Sequence, residues 1–534
     1  MRVCLAILVL IVSFSPWADA QEVDPFSGWS EVSSSDFALL TNASPERGRD
    51  LLLRLERFRS LFARLSPDLE LDSAVPLRIL AFRDAEAYAP YKNGSDGGGL
   101  RIMGQFIRSR DGAFITLDAD PGRRGALSAV YHEAVHDLVA HNFPAVPRWL
   151  DEGLAEYYGA FEERAGFARV GSPVERHLDW LQSETDLDLP AVLSVADRRD
   201  LHGAGGARRR VGRFYAVSWA LVHYLLSQPE GTATLGDYLL RLLAGEDPND
   251  ALEESLGRSV AELEKDLVAY LQRREFASLV VAIEDLPVPA QVAVRAVDRS
   301  EVAVHLGDLL LLVGRRDLAA EHYDVALEGD PGNGEAWSGL AWIQDSQGSY
   351  EEAEVLHRKA LEAGSREALT FVRLGRHRSV QKDADGARWA FAEAVARDPS
   401  FAEARALLGR SQGLPGGDPV AGIRHLKIAM VALPYRLDLA FDLVRLHLAN
   451  GDPEAAERLL DGTLSRYGDA AKLDAARREV ERTRQMLAYE RALAAGDRSA
   501  ALAAFDRAIS VTDDSELKAR MEAHLRALQR DAGR

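Results

Sequence analysis

Two hydrophobic periodicities divide this chain. Up to about residue 288, strand-like and helix-like stretches interleave. Residues 37–41 and 77–82 are short apolar runs rich in Leu, Ile and Phe and read as strands. Residues 105–108 and 113–118 flank an Asp111-Gly112 turn and read as a hairpin. Helical spacing runs through Leu52, Leu55, Phe58, Leu61 and Phe62, predicting a helix over 45–65. Another helix begins near Gly125, closes at the turn around Asn142 and Pro147, and is followed by one opening at Arg148. Further helices are predicted over 214–225, 251–256 behind an Asp247 cap, and 260–273. Leu286-Pro287-Val288-Pro289 breaks the pattern, so a mixed α and β domain is expected over 21–288, with an entry helix from about Ala290.

Beyond that break the spacing is helical only, and it repeats about every 34 residues. Leu306-Gly307, Gly314, Ala319, Tyr323 and Ala326 recur as Leu340-Ala341, Gly348, Ala353 and Ala360. A third copy has Leu374-Gly375, Ala387, Phe391 and Ala394. The fourth, Leu408-Gly409, Leu426 and Ala429, carries one extra residue, and the fifth is Val444, Gly451, Ala456 and Leu460. Small residues let paired helices approach, while large ones fill the space between pairs. The segment 298–465 resembles a tetratricopeptide repeat array, which implies an all-α solenoid whose concave face binds a protein partner or serves as a spacer. Residues 466–534 stay helical without strict spacing and read as a C-terminal cap.

Composition narrows the function. With 64 Lys+Arg against 83 Asp+Glu the net charge is −19, so no nucleic-acid partner is expected. At the N-terminus, Arg2 precedes an apolar run over 3–14 and an Ala18-Asp19-Ala20 end, the pattern of a cleaved signal peptide over 1–20. The run is too short to span a membrane, so no transmembrane segment is expected after cleavage and the protein is expected to be exported, periplasmic or secreted. The one cysteine, Cys4, falls inside that segment, which excludes cysteine nucleophiles and cysteine-ligated zinc from the mature chain.

The chemistry sits in Tyr131-His132-Glu133-Ala134-Val135-His136. Four residues apart on a helix, His132 and His136 can offer two imidazole nitrogens to one metal ion, with Glu133 beside them as a base toward water. A hydrolytic zinc site needs a third protein ligand. Glu152, in Trp149-Leu150-Asp151-Glu152-Gly153-Leu154-Ala155-Glu156, is the best-placed carboxylate. Glu156, one turn on, is placed to accept a hydrogen bond from the far nitrogen of a ligating histidine. His141, His177 and His202 lack a partner motif and read as non-ligands.

These two segments together resemble the gluzincin, peptidase MA-like, zinc metallopeptidases, over about residues 125–158. The resemblance implies a thermolysin-like α+β domain, one zinc per chain held by His132, His136 and Glu152, and Glu133 as general base in peptide hydrolysis. The interval from His136 to Glu152 is shorter than in thermolysin. Gluzincins also supply a Tyr or His to the oxyanion from a downstream helix. Tyr215 is the first choice here and His223 the second, sharing one helix face with Trp219. The strand over 113–117 is expected to be the edge on which an extended peptide substrate adds. The alternative is a repeat scaffold or adaptor whose protease-like domain binds without cleaving.

Overall fold

The computed structural model describes residues 24–72, 75–92, 103–122, 125–143, 146–182, 187–196, 201, 207–273, 275–465 and 469–532. Residues 1–20, read above as a signal peptide, and His202 lie outside them. The N-terminal half is built on a six-stranded sheet of β1 (Ser30–Ser33), β2 (Ala38–Thr41), β3 (Leu77–Phe82), β4 (Gly104–Arg108), β5 (Ala113–Asp118) and β9 (Ala293–Ala296), in the order β4-β5-β3-β2-β1-β9. β2, β3 and β5 run parallel, and β4, β1 and β9 pair antiparallel with their neighbours. Alternation sorts the two faces. Leu39, Ile79, Ala81, Ile115 and Leu117 pack under α1 (Pro45–Leu65) and α3 (Ala126–Asn142), while Leu40, Leu80, Phe82 and Phe114 point the other way. α1 starts where expected because Ser44 accepts a hydrogen bond from the Arg47 backbone and Pro45 fills the first turn.

Two expectations are corrected. β5 is not an edge strand: it lies between β3 and β4 and is buried at every position, since residues with apolar neighbours on both faces belong inside a sheet. The edge on this side is β4, and its Gly104 abuts α3 so closely that a Cβ would come within 2.4 Å of the Ala126 carbonyl oxygen. Second, the stretch after residue 290 opens with a strand, not a helix. β9 pairs with β1 and is exposed at all four positions, so it carries no apolar alternation to betray it. Backbone pairing and the Arg295–Glu31 ion pair at 2.7 Å hold it there. The first domain thus closes at Ala296, beyond the boundary expected at 288, and the first repeat helix starts at Arg299.

Short α2 (Ala85–Tyr88) follows β3. Helices α4 (Arg148–Gly159), α5 (Glu175–Gln182), α6 (Leu189–Leu193), α7 (Ala207–Ser227), α8 (Gly231–Ala244), α9 (Pro248–Leu256) and α10 (Val260–Gln272) extend the same core. A three-stranded sheet of β6 (Glu162–Arg164), β7 (Phe167–Val170) and β8 (Leu279–Ala282) completes the domain.

The C-terminal half is a helical solenoid of tetratricopeptide type. Its five helix pairs are α11 (Arg299–Leu312) with α12 (Arg316–Gly329), α13 (Gly334–Gln347) with α14 (Tyr350–Glu362), α15 (Ala368–Val380) with α16 (Ala384–Arg397), α17 (Ala402–Ser411) with α18 (Pro419–Ala432), and α19 (Leu437–Ala449) with α20 (Pro453–Leu459). α21 (Ala470–Ala494), α22 (Arg498–Ser510) and α23 (Ser515–Ala532) follow. No described helix is long and apolar enough to cross a membrane.

The array folds back onto the sheet. Leu40, Leu80, Phe82 and Phe114 share one apolar cluster with Val302, Leu306, Leu310 and Tyr323. Val75, ahead of β3, and the β4–β5 hairpin reach further, with Val75 and Ala113 in one apolar cluster with Phe371, Val372 and Phe401, Asp111 paired to Arg376 at 2.6 Å, and Arg108 donating to Tyr435. Residues of the repeats, among them Leu306 of α11 and Phe371 and Arg376 of α15, therefore hold part of this chain.

One contact between the halves is pH-sensitive. The Leu318 carbonyl, 2.8 Å from His322 Nδ1, can only accept, so Nδ1 carries the hydrogen and Nε2, at 3.0 Å, accepts from the Tyr91 hydroxyl. Burial, with the Phe26 ring edge-on at 4.9 Å, pushes this imidazole down to about 4. Between pH 6.5 and about 4 the unfolded chain binds a proton here that the folded chain refuses, so stability falls as pH drops through that window. The contribution is up to about 3 kcal/mol. Urea unfolding at pH 7 and 4.5 should show a smaller acid loss in His322→Asn than in the parent, and equal losses would refute the assignment.

Candidate metal centre

The metal-binding candidates come from two helices pressed together by their sequence. On α3, His132 and His136 stand one turn apart. α4 brings Glu152, fully buried, across from them. The Gly153 that follows allows α4 to lie against α7, where a Cβ would meet the Ser218 carbonyl oxygen at 2.5 Å.

The three donor atoms form a triangle. His132 Nε2 and His136 Nε2 are 3.2 Å apart, and Glu152 Oε2 is 3.3 Å from His136 Nε2 and 3.6 Å from His132 Nε2. The carboxylate separations exceed charge-assisted hydrogen-bond lengths of about 2.7–2.9 Å. They match the edges of a tetrahedron with bonds of about 2.0–2.1 Å, which are about 3.3–3.4 Å. A nitrogen and oxygen donor set at this spacing suits zinc.

Further groups orient the trio. His136 Nδ1 meets Asp151 Oδ1 at 2.7 Å. Arg148 donates to Asp151 Oδ2 at 3.1 Å and to Glu152 Oε1 at 2.8 Å, so one guanidinium fixes both carboxylates. Burial works against a positive charge on His136, yet Asp151 and Glu152 outweigh it and hold the imidazole up to about 10. Neither Asp151 nor Arg148 was picked out by sequence reasoning, although both flank Glu152 within one turn.

Glu156 departs from its expected role. It stands 4.0 Å from His132 Nδ1, too far for a hydrogen bond, because Arg176 donates to both its oxygens at 2.9 Å and His177 Nε2 lies 3.2 Å away. The carboxylate that does orient a histidine of the trio is Asp151. His177 thus has a partner, outside the donor triangle. Glu133 is half-buried beside the two histidines on α3 and makes no ion pair or hydrogen bond among the described residues.

Of the two oxyanion candidates, the structure brings only one to the site. The Tyr215 hydroxyl is 3.4 Å from Glu152 Oε1. His223 lies two turns further along α7, buried, with Nε2 2.9 Å from the Gly171 carbonyl and Nδ1 2.7 Å from the Tyr270 hydroxyl. Burial lowers its pKa. It is a satisfied core histidine and not a catalytic group. A cavity of about 570 Å³ borders α3 at Ser128 and Tyr131, but none of the trio lines it.

Removing the carboxylate behind His136 should weaken metal binding. Asp151→Ala is expected to cost about 10- to 100-fold in zinc affinity, measured by competition with a chromogenic chelator. Unchanged affinity would show that Asp151 does not orient the ligand.

Residues 310–368 match the family model described as tetratricopeptide repeat, and residues 126–239 match one described as a protein of unknown function, DUF1570. The second match spans both metal-site helices and Tyr215. No curated protein matches the chain. Similar solved structures include YrrB, described as a TPR protein with an unusual peptide-binding site, at 22% identity over 33% of this chain and 89% of that one, TM-score 0.29. PilW, a type IV pilus biogenesis factor, is 20% identical over 40% and 93%, TM-score 0.29. The pilF protein of Pseudomonas aeruginosa is 19% identical over 42% and 97%, TM-score 0.30. Likenesses this distant do not bear on what the chain does.

Proposed function

We propose that this chain is an exported, zinc-dependent peptidase whose repeat array braces the metal-binding domain. The observation that carries the proposal is the donor triangle of His132, His136 and Glu152, with edges of 3.2–3.6 Å. Zinc held there would polarise a peptide carbonyl and acidify water. Glu133 would take a proton from the attacking water and deliver it to the leaving amine. The Tyr215 hydroxyl, near Glu152, would donate to the developing oxyanion. An extended peptide would pair with the edge strand β4, which Arg108 fixes by ion pairing to Asp137 of α3.

A second reading is a scaffold or adaptor with an inert protease-like domain. It is favoured by the tetratricopeptide match over 310–368. Elemental analysis and a peptide-library digest of the full chain, with zinc and with chelator, separate the two. One zinc per chain and chelator-sensitive cleavage support the peptidase. Zinc without cleavage, or no zinc after supplementation, supports the scaffold.

A further inference from the structure

The interface between the second and third repeats departs from the repeat pattern. One repeat before and after His357, at the same position, stand Tyr323 and Phe391, rings buried in the solenoid core. At the position of His377 the two preceding repeats have Ile343 and Leu309, also buried. Two apolar core positions have thus become histidines within one repeat interface, with side chains 1% and 0% exposed. Burying imidazoles in place of such residues is costly unless their nitrogens are engaged.

Both rings turn to one carboxylate, Asp345 of α13, itself 7% exposed. His357 Nε2 of α14 is 2.9 Å from Asp345 Oδ2, and His377 Nδ1 of α15 is 2.7 Å from Asp345 Oδ1. The other nitrogen of His377 lies 2.9 Å from Glu354 Oε2. A carboxylate behind a histidine is the arrangement that orients metal-binding imidazoles. The neighbouring cations are each occupied, Arg373 by Asp308, Arg376 by Asp111 and Glu403, and Arg378 by Glu354. Asp345 and His377 also line a cavity of about 510 Å³, together with Trp342, Arg376 and Arg410, which gives an ion and its waters a way in.

We propose that Asp345, His357 and His377 form a second metal site, in the repeat array, for a divalent first-row transition ion. Its spacing differs from that of the first site. The two imidazole–carboxylate contacts, 2.7–2.9 Å and to different oxygens of Asp345, are hydrogen bonds that an ion would replace, and the three residues can each offer a donor atom within 4.8 Å of the others. Two imidazoles and one carboxylate with open positions toward a cavity suit a six-coordinate ion completed by water. Bound there, the ion would tie α13, α14 and α15 together, and Arg376 of α15 grips Asp111 of the hairpin.

The test uses full-length chain with the first site disabled by His132→Ala, loaded with nickel, dialysed and measured by elemental analysis. That chain is expected to keep about one nickel, and the His132→Ala/His357→Phe chain less than about a tenth as much. His357→Phe restores the ring that the next repeat carries, so the fold should survive, checked by circular dichroism. If it does not, Asp345→Asn decides, since it removes the charge at constant shape and is also expected to abolish nickel retention. No nickel in the His132→Ala chain, or equal nickel in parent and tested variant, would reduce the cluster to a hydrogen-bonded core network and overturn the proposal.

Discussion

Glu133→Gln is expected to lower peptide cleavage by about 100- to 10,000-fold, the range lost with a general base, while zinc content stays at one per chain. The two side chains are nearly isosteric, and glutamine cannot accept a proton. Among the described residues Glu133 makes no ion pair or hydrogen bond that glutamine would break. The donor triangle does not include it. The expected signature is therefore a fall in kcat with unchanged zinc and unchanged thermal unfolding. A fall in zinc alongside activity would mean that Glu133 supports the site structurally, and an activity within threefold or so of the parent would remove it as the base.

Much of this geometry was legible from spacing because it depends on periodicity within single elements. Helical period alone places His132 beside His136, and alternation alone separates Ile79 from Leu80. Spacing within a helix does not set depth or neighbours. Tyr215 and His223 share a face, yet two turns of α7 carry His223 to the Gly171 carbonyl and the Tyr270 hydroxyl, while Tyr215 faces Glu152. Asp151 was hidden for the opposite reason: it adjoins Glu152 in sequence, and only the approach of α4 to α3 shows which of the nearby acids reaches a histidine. β9 was hidden because an exposed edge strand held by backbone pairing has no apolar signature. The docking of the array on the sheet lay further out of reach. Its contacts join residues more than two hundred positions apart, such as Arg78 with Asp308.

That contact predicts the largest stability effect. Asp308, in the first repeat, accepts from Arg78 of β3 at 3.0 Å, from Arg373 of the third repeat at 2.9 Å and from the Tyr323 hydroxyl at 2.7 Å. Burial alone would raise its pKa, but the two guanidiniums outweigh this and hold the carboxyl below its usual range. Asp308→Ala would leave Arg373, whose side chain is 8% exposed, as a buried charge without its partner. The expected cost is about 3–5 kcal/mol in urea unfolding. If the cost comes from the stranded charge and not from a lost fastener, replacing both partners with apolar residues, as in Asp308→Leu/Arg373→Met, should recover most of it. A double variant as unstable as Asp308→Ala would instead assign the stability to the three-way bond itself. In that case Arg78→Met, which cuts only the link to the sheet, should reproduce a large part of the loss and loosen the array from the N-terminal domain.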